Sequence, residues 1–135
     1  MSDIEVGMRG EFAKLVSNED ILAFAEATGD RNPVHLDDDY ANRTSFGQRI
    51  SHGLLTAGLI SAVFGTVFPG PGWIYVSQSL RFRTPVHIGE KVTAAVEVVT
   101  VMPDKNFVEF ETECRVGDKV VLDGKATLMA PSYIG

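Results

Sequence analysis

The stretch Ser51-His52-Gly53-Leu54-Leu55-Thr56-Ala57-Gly58-Leu59-Ile60-Ser61-Ala62-Val63-Phe64-Gly65-Thr66-Val67-Phe68 is apolar on nearly every side of a helical wheel. A helix without a polar face belongs in a core or under a sheet. Ser51 reads as its N-cap, and Pro69-Gly70-Pro71-Gly72 ends it. The flanks extend the pattern, because residues 50–80 contain no Asp, Glu, Lys or Arg. The run from Gly53 to Phe68 is nevertheless shorter than the about 20 apolar residues that span a bilayer. We therefore expect a buried helix and no membrane association.

Downstream, the period changes from helical to two. Ile74, Val76, Gln78, Leu80 and Phe82 alternate with Tyr75, Ser77, Ser79, Arg81 and Arg83, so one strand is expected over 74–83. Val92, Ala94, Val96 and Val98 repeat the alternation. Val108, Phe110, Thr112, Cys114 and Val116 against Glu109, Glu111, Glu113 and Arg115 give the clearest dry and wet faces. Pro103–Asn106 and Gly117–Lys119 read as hairpin turns, and a last strand runs from Val120 to about Ala130 with Gly124 as a bulge. Upstream, an extended arm is expected over residues 4–16. A helix follows from Ser17, with Asp20 completing a capping box, to a stop at Gly29. Asp37-Asp38-Asp39 begins a short helix reaching about Thr44. The sheet needs a cover for its dry face and the helix at 52–68 needs a wrapper, so each meets the other's requirement. The expected class is α+β, with one domain over residues 1–135.

The chain of 135 residues carries 12 Lys and Arg against 18 Asp and Glu, a net charge of −6. That balance opposes a general nucleic-acid footprint. Its single cysteine, Cys114, can form neither an internal disulfide nor a thiolate metal cluster, which suits a reducing compartment such as the cytoplasm. The opening MSDIEVGMRGE is acidic and has no apolar run of the signal-peptide type.

Chemistry-bearing residues concentrate in Gly29-Asp30-Arg31-Asn32-Pro33-Val34-His35, at the end of a helix and beside a rigid proline. An Asp and a His five apart can converge on one water and move its protons. The same residues also suit a plain turn, in which Asp30 and Asn32 satisfy backbone amides and His35 is a surface residue. Ser51-His52-Gly53 offers free amides at a helix start, where an anion or a developing oxyanion is stabilised, or it is simply a cap. His87 reads as a surface turn residue. No phosphate-loop, dinucleotide or zinc-ligand pattern is present, and no nucleophile elbow accompanies Ser51.

Phe24, Thr28-Gly29-Asp30-Arg31-Asn32-Pro33-Val34-His35 and Ala41, with Ser51-His52-Gly53, Ser61 and Phe82-Arg83-Thr84-Pro85-Val86 before Gly89-Glu90, resemble the MaoC-like type 2 (R)-specific enoyl-CoA hydratases. The resemblance is to the short bacterial forms that supply (R)-3-hydroxyacyl-CoA for polyhydroxyalkanoate synthesis. It covers nearly the whole chain, with Ala27 a mild departure from an aliphatic position. It implies a hot-dog fold, in which a curved antiparallel sheet wraps a long central helix. It also implies reversible syn addition of water to trans-2-enoyl-CoA, with His35 the base toward water and Asp30 the proton donor to C2. The Gly53 amide would hold the thioester oxygen, and Asn32, Ser51, His52 and Ser61 would support the site. Arg43, Arg49, Arg81, Arg83 and Lys105 are candidates for the coenzyme A phosphates. The resemblance implies no metal and no cofactor, an acyl-CoA thioester as substrate, and a homodimer. The alternatives left open are a dehydratase of acyl-carrier-protein thioesters or specialised acyl-CoAs, a hot-dog thioesterase, and a noncatalytic acyl-CoA-binding protein.

Overall fold

Strict alternation builds the middle of the molecule. In the computed structural model, which describes residues 3–131, β4 (Lys91–Met102), β5 (Phe107–Val116) and β6 (Lys119–Met129) are consecutive antiparallel neighbours. Their inward residues Val92, Val96, Val98, Val108, Phe110, Leu122 and Leu128 are buried, whereas Glu109, Glu111 and Glu113 lie on the opposite face. β1 (Arg9–Leu15) pairs with β4, and its Arg9 forms a 2.6 Å ion pair with Glu97 across the ladder. β2 (Ile74–Gln78) and β3 (Arg81–Phe82) both pair with β6, giving the order β1-β4-β5-β6-β2 with β3 beside β6.

The single strand expected over 74–83 is thus two. It breaks where Ser79 crosses Gly124 so closely that a Cβ on Gly124 would lie 1.8 Å from the Ser79 carbonyl oxygen. Only glycine permits that approach. Gly124 is not a bulge of the β5–β6 ladder. It stays in register with Thr112, and the shift falls between Cys114 and Arg115.

α1 (Asn18–Thr28) starts as its sequence indicates. Ser17 caps Asp20, and the Asp20 carboxylate accepts from the Ser17 amide at 3.0 Å. α2 (Pro33–Leu36) was not expected from the sequence, although Asn-Pro is an N-cap followed by the first helical position. α3 (Asp38–Asn42) lies within the expected short helix. α4 (Gly53–Ala62) continues as a π-helical turn over Val63–Val67 and lies under the sheet. Its N-cap is His52, not Ser51 as expected, and no side chain caps it.

Thr56, Leu59, Ile60, Val63 and Phe64 face the core, but Leu54, Gly58, Ser61 and Gly65 form an exposed stripe. The helix is therefore wrapped on one side only within this chain. The arrangement is the hot-dog fold, of mixed α and β class. No helix among the described residues is long and apolar enough to cross a membrane.

Candidate active site

The loop between α1 and α2 is built from side chains that substitute for helix hydrogen bonds. Gly29 leaves α1 in the left-handed region at φ 83°, and its amide donates to the Ala25 carbonyl at 2.8 Å. The Thr28 hydroxyl donates to the Phe24 carbonyl at 2.8 Å and accepts from the Asp30 amide at 3.1 Å. The Asp30 carboxylate accepts from the Asn32 amide, and the Asn32 side-chain oxygen accepts from the Val34 amide, both at 3.2 Å. These successive turns deliver His35 inward on α2, where it is buried, while Asp30 stays exposed at the lip.

Residues 49–52 grip that loop from the other side. The carbonyl of Ile50 lies 2.8 Å from His35 Nδ1. A carbonyl only accepts, so Nδ1 carries the proton and Nε2 keeps its lone pair. The Arg49 guanidinium donates to the His35 carbonyl at 2.7 Å and to Asn18 Oδ1 at 2.7 Å. His52 Nε2 donates to the Asp30 carbonyl at 3.0 Å. The His52 ring packs against His35, with centroids 4.0 Å apart and planes tilted by 33°, and against Phe24 at 4.6 Å with a tilt of 48°.

Burial pushes the His35 pKa down. The Ile50 hydrogen bond opposes that shift, proximity of His52 reinforces it, and Asp30 opposes it.

Asp30, His35, His52 and Gly53 line one cavity of about 490 Å³ at the start of α4, closed on other sides by Leu54, Phe82, Arg83 and Val121. That volume is within the range of small-molecule sites. The first amides of α4 have no partner within their own helix. Gly53 is also where the Phe82 ring comes closest, since a Cβ there would sit 2.6 Å from Phe82 Cε1. A second hollow, of about 330 Å³, lies on the outer sheet face among Glu97, Glu111, Glu113 and Asp123. It contains no imidazole or thiol, so the chemistry belongs at α4.

Of the supporting residues expected from sequence, Asn32 caps α2 and Ser51 donates its hydroxyl to the His52 carbonyl at 3.1 Å. Ser61 does not join them. It is exposed on α4, about 12 Å along the helix from Gly53, and does not line the cavity.

The basic candidates also separate. Arg83 lines the cavity beside Asp123, 2.8 Å away. Arg81 and Arg43 are exposed outside its lining. Arg49 is committed to His35 and Asn18 rather than free for a phosphate. Lys105 sits in the β4–β5 turn next to Phe107, which pairs with Met129. Met129 is seven residues along β6 from the cavity-lining Leu122, or about 23 Å. His87 pairs with Glu90 at 3.3 Å, away from the cavity lining.

Asp30, His35 and His52 each bring a possible metal ligand within 4.8 Å of the others. One nitrogen of each ring is already spent on a carbonyl. That leaves His35 Nε2, His52 Nδ1 and the Asp30 carboxylate as the remaining groups. A proton-transferring pair needs no more than these groups supply.

The sequence missed Ile50, and it showed Phe82 only as part of a matching segment, without a place at the site. Neither bears a chemical signature, and only the fold brings the Ile50 carbonyl and the Phe82 ring to the site.

Residues 3–120 match the model of the MaoC like domain. A 3-hydroxybutyryl-CoA dehydratase of Methylorubrum extorquens is 53% identical over 96% of this chain and 82% of its own length. An (R)-specific enoyl-CoA hydratase of Rhodospirillum rubrum is 52% identical over 96% and 90%. The unliganded R-hydratase structure from Pseudomonas aeruginosa superposes with a TM-score of 0.91 at 44% identity, covering 98% of this chain and 85% of that one.

Proposed function

The chain belongs to the MaoC-like domain family, and on that premise we propose that it is a hydro-lyase catalysing reversible (R)-specific hydration of trans-2-enoyl-CoA to (R)-3-hydroxyacyl-CoA. The observation that carries this reading is the convergence of Asp30 and His35 on one cavity at the start of α4, with the His35 tautomer set by the Ile50 carbonyl. His35 Nε2 takes a proton from a water as its oxygen bonds to C3. The Asp30 carboxyl gives a proton to C2 on the same face, and the proton on His35 returns to Asp30 before the next turnover. Charge that builds on the thioester oxygen is met by the Gly53 amide at the positive end of α4. Dehydration runs the same steps backward. A relative named for 3-hydroxybutyryl-CoA makes the four-carbon substrate the first to test.

The test is a panel of C4 to C12 trans-2-enoyl-CoAs, followed by loss of enoyl-thioester absorbance, by chiral analysis of the alcohol and by free-thiol release. Hydration to the (R) alcohol without thiol release is expected. An (S) product overturns the geometry, thiol release without hydration turns the reading to a thioesterase, and binding without turnover turns it to a carrier.

The active species is a homodimer. Three features support this. The edge strand β2 exposes Ile74, Tyr75 and Val76. The outer stripe of α4 is uncovered. A Cβ on Gly58 or Gly65 would meet nothing within 4 Å in this chain, although glycine inside a helix costs about 1 kcal/mol relative to alanine. A closely packed second copy supplies the reason for those glycines. Arg83, at the cavity, is the contact for the coenzyme A phosphates; its replacement raises KM and weakens the salt dependence.

A further inference from the structure

His52 is 2% exposed, and it is the only described residue with a buried side-chain nitrogen or oxygen, its Nδ1, that lacks a hydrogen-bond partner. An unmet buried acceptor costs about 1–3 kcal/mol. Packing alone does not explain an imidazole here, because a leucine, methionine or phenylalanine would fill the space between Phe24 and His35 without that cost. What the apolar residues lack is a donor. His52 Nε2 supplies the donor that meets the Asp30 main-chain carbonyl, 22 residues away in sequence.

We infer that His52 is a positioning residue for the hydration reaction. It ties the backbone of Asp30 to the start of α4 while its ring supports the face of His35, and so fixes the distance between the two proton-transferring groups. The inference rests on the hydratase reading for its catalytic consequence but not for its structural one.

The geometry explains why one residue does both jobs. Asp30 lies on an exposed turn whose other hydrogen bonds, from its own amide to the Thr28 hydroxyl and from the Asn32 amide to its carboxylate, are local. Those bonds shape the turn without anchoring it to the rest of the fold. His35 is anchored separately, by Ile50 and Arg49. Without His52 the Asp30 turn is free to shift relative to the anchored His35 while each keeps its local geometry. A misplacement of about 1 Å between reacting groups costs on the order of 100-fold in rate. His52 touches both units and is also the N-cap of the helix that presents Gly53. The proton pair and the oxyanion donor therefore share one reference point.

The test compares His52→Gln with His52→Met. These side chains are similar in length and volume, both remove the ring, and only glutamine can donate to the Asp30 carbonyl. For hydration of crotonyl-CoA, His52→Met is expected to lose about 100-fold in kcat with KM within a few-fold of wild type. His52→Gln is expected to recover at least tenfold of that loss. Hydrogen exchange at the amides of residues 29–32 provides a readout independent of turnover: protection falls in His52→Met and is retained in His52→Gln. Equal kcat and equal exchange in the two variants overturn the inference and leave His52 a packing residue. If the wild type does not hydrate any enoyl-CoA, the hydratase reading fails while the exchange comparison still decides whether His52 anchors Asp30.

Discussion

The start of α4 and its outer stripe invert the usual relation between polarity and burial. At the start, Ser51, His52 and Thr56 are polar and 5% or less exposed. On the stripe and just beyond it, Leu54 is apolar and 62% exposed, and Val67 is 49% exposed. The buried polar residues find partners in neighbouring backbone: Ser51 and Thr56 with the His52 carbonyl, His52 with Asp30. The exposed apolar residues keep about half or more of their surface uncovered by the described residues. Buried polarity of this kind marks where the fold holds its chemistry, and exposed apolarity marks where something other than this chain completes the surface. Hydropathy alone places both regions in the same uncharged stretch, 50–80.

The sharpest way to break the contrast is at the polar end. Asp30→Asn and His35→Ala should each fold yet lose about 100- to 10,000-fold in hydration of crotonyl-CoA, the usual worth of a positioned acid or base. Near-wild-type rates in both would remove the pair from the mechanism and reduce the buried polar cluster to a structural one. A smaller effect is expected at Gly53. Gly53→Ala leaves the amide in place but drives a methyl into the Phe82 ring, and a shift of about 1 Å at the thioester should cost on the order of 100-fold in kcat/KM. Adding Phe82→Leu should return much of that loss. A double variant no better than Gly53→Ala would mean that the ring is not the obstacle.

The apolar side of the contrast is probed by Gly58→Leu. The new Cβ meets nothing within 4 Å in its own chain and the helix gains about 0.5–1 kcal/mol of propensity, so thermal stability of the chain at high dilution should hold or rise. The dimer should weaken by at least tenfold, about 1.4 kcal/mol, read by sedimentation velocity across a concentration series. An unchanged dimer would put the interface elsewhere and leave the outer stripe of α4 without a partner.

Much of this was legible in the sequence where one physical rule acted alone. Alternation in Val108–Val116 against Glu109–Arg115 gave β5 and its two faces, because a half-buried strand permits no other pattern. The capping box at Ser17 and the stop at Gly29 gave both ends of α1. The sequence reading failed where two rules competed. The strand over 74–83 alternates without interruption, yet contact between Ser79 and Gly124 splits it, and no local pattern records a neighbour 45 residues away. The Asp30 and His35 types and spacing were visible, but what orients them was not. The Ile50 carbonyl, the Arg49 grip and the His52 anchor come from a segment 14 to 22 residues downstream. Lys105 was nominated on charge alone, and charge carries no information about which end of the sheet it occupies.

The smallest expected effect concerns the pH response of the buried end, and its sign follows from His35. Burial holds its pKa below the ordinary histidine value of about 6.5. The groups facing it divide: Asp30 and the Ile50 carbonyl favour the protonated ring, whereas His52 disfavours it. As the base toward water, His35 must be neutral, so the acid limb of kcat/KM should fall below about 6.5. The same shift affects stability. Between the folded pKa and about 6.5, the unfolded chain binds more protons than the native one, so stability declines as pH drops through that window. His35→Gln should remove this contribution, which urea titrations at several pH values can detect. An acid limb at or above about 6.5 in the wild type would show that the Ile50 hydrogen bond, with Asp30 beside it, outweighs burial.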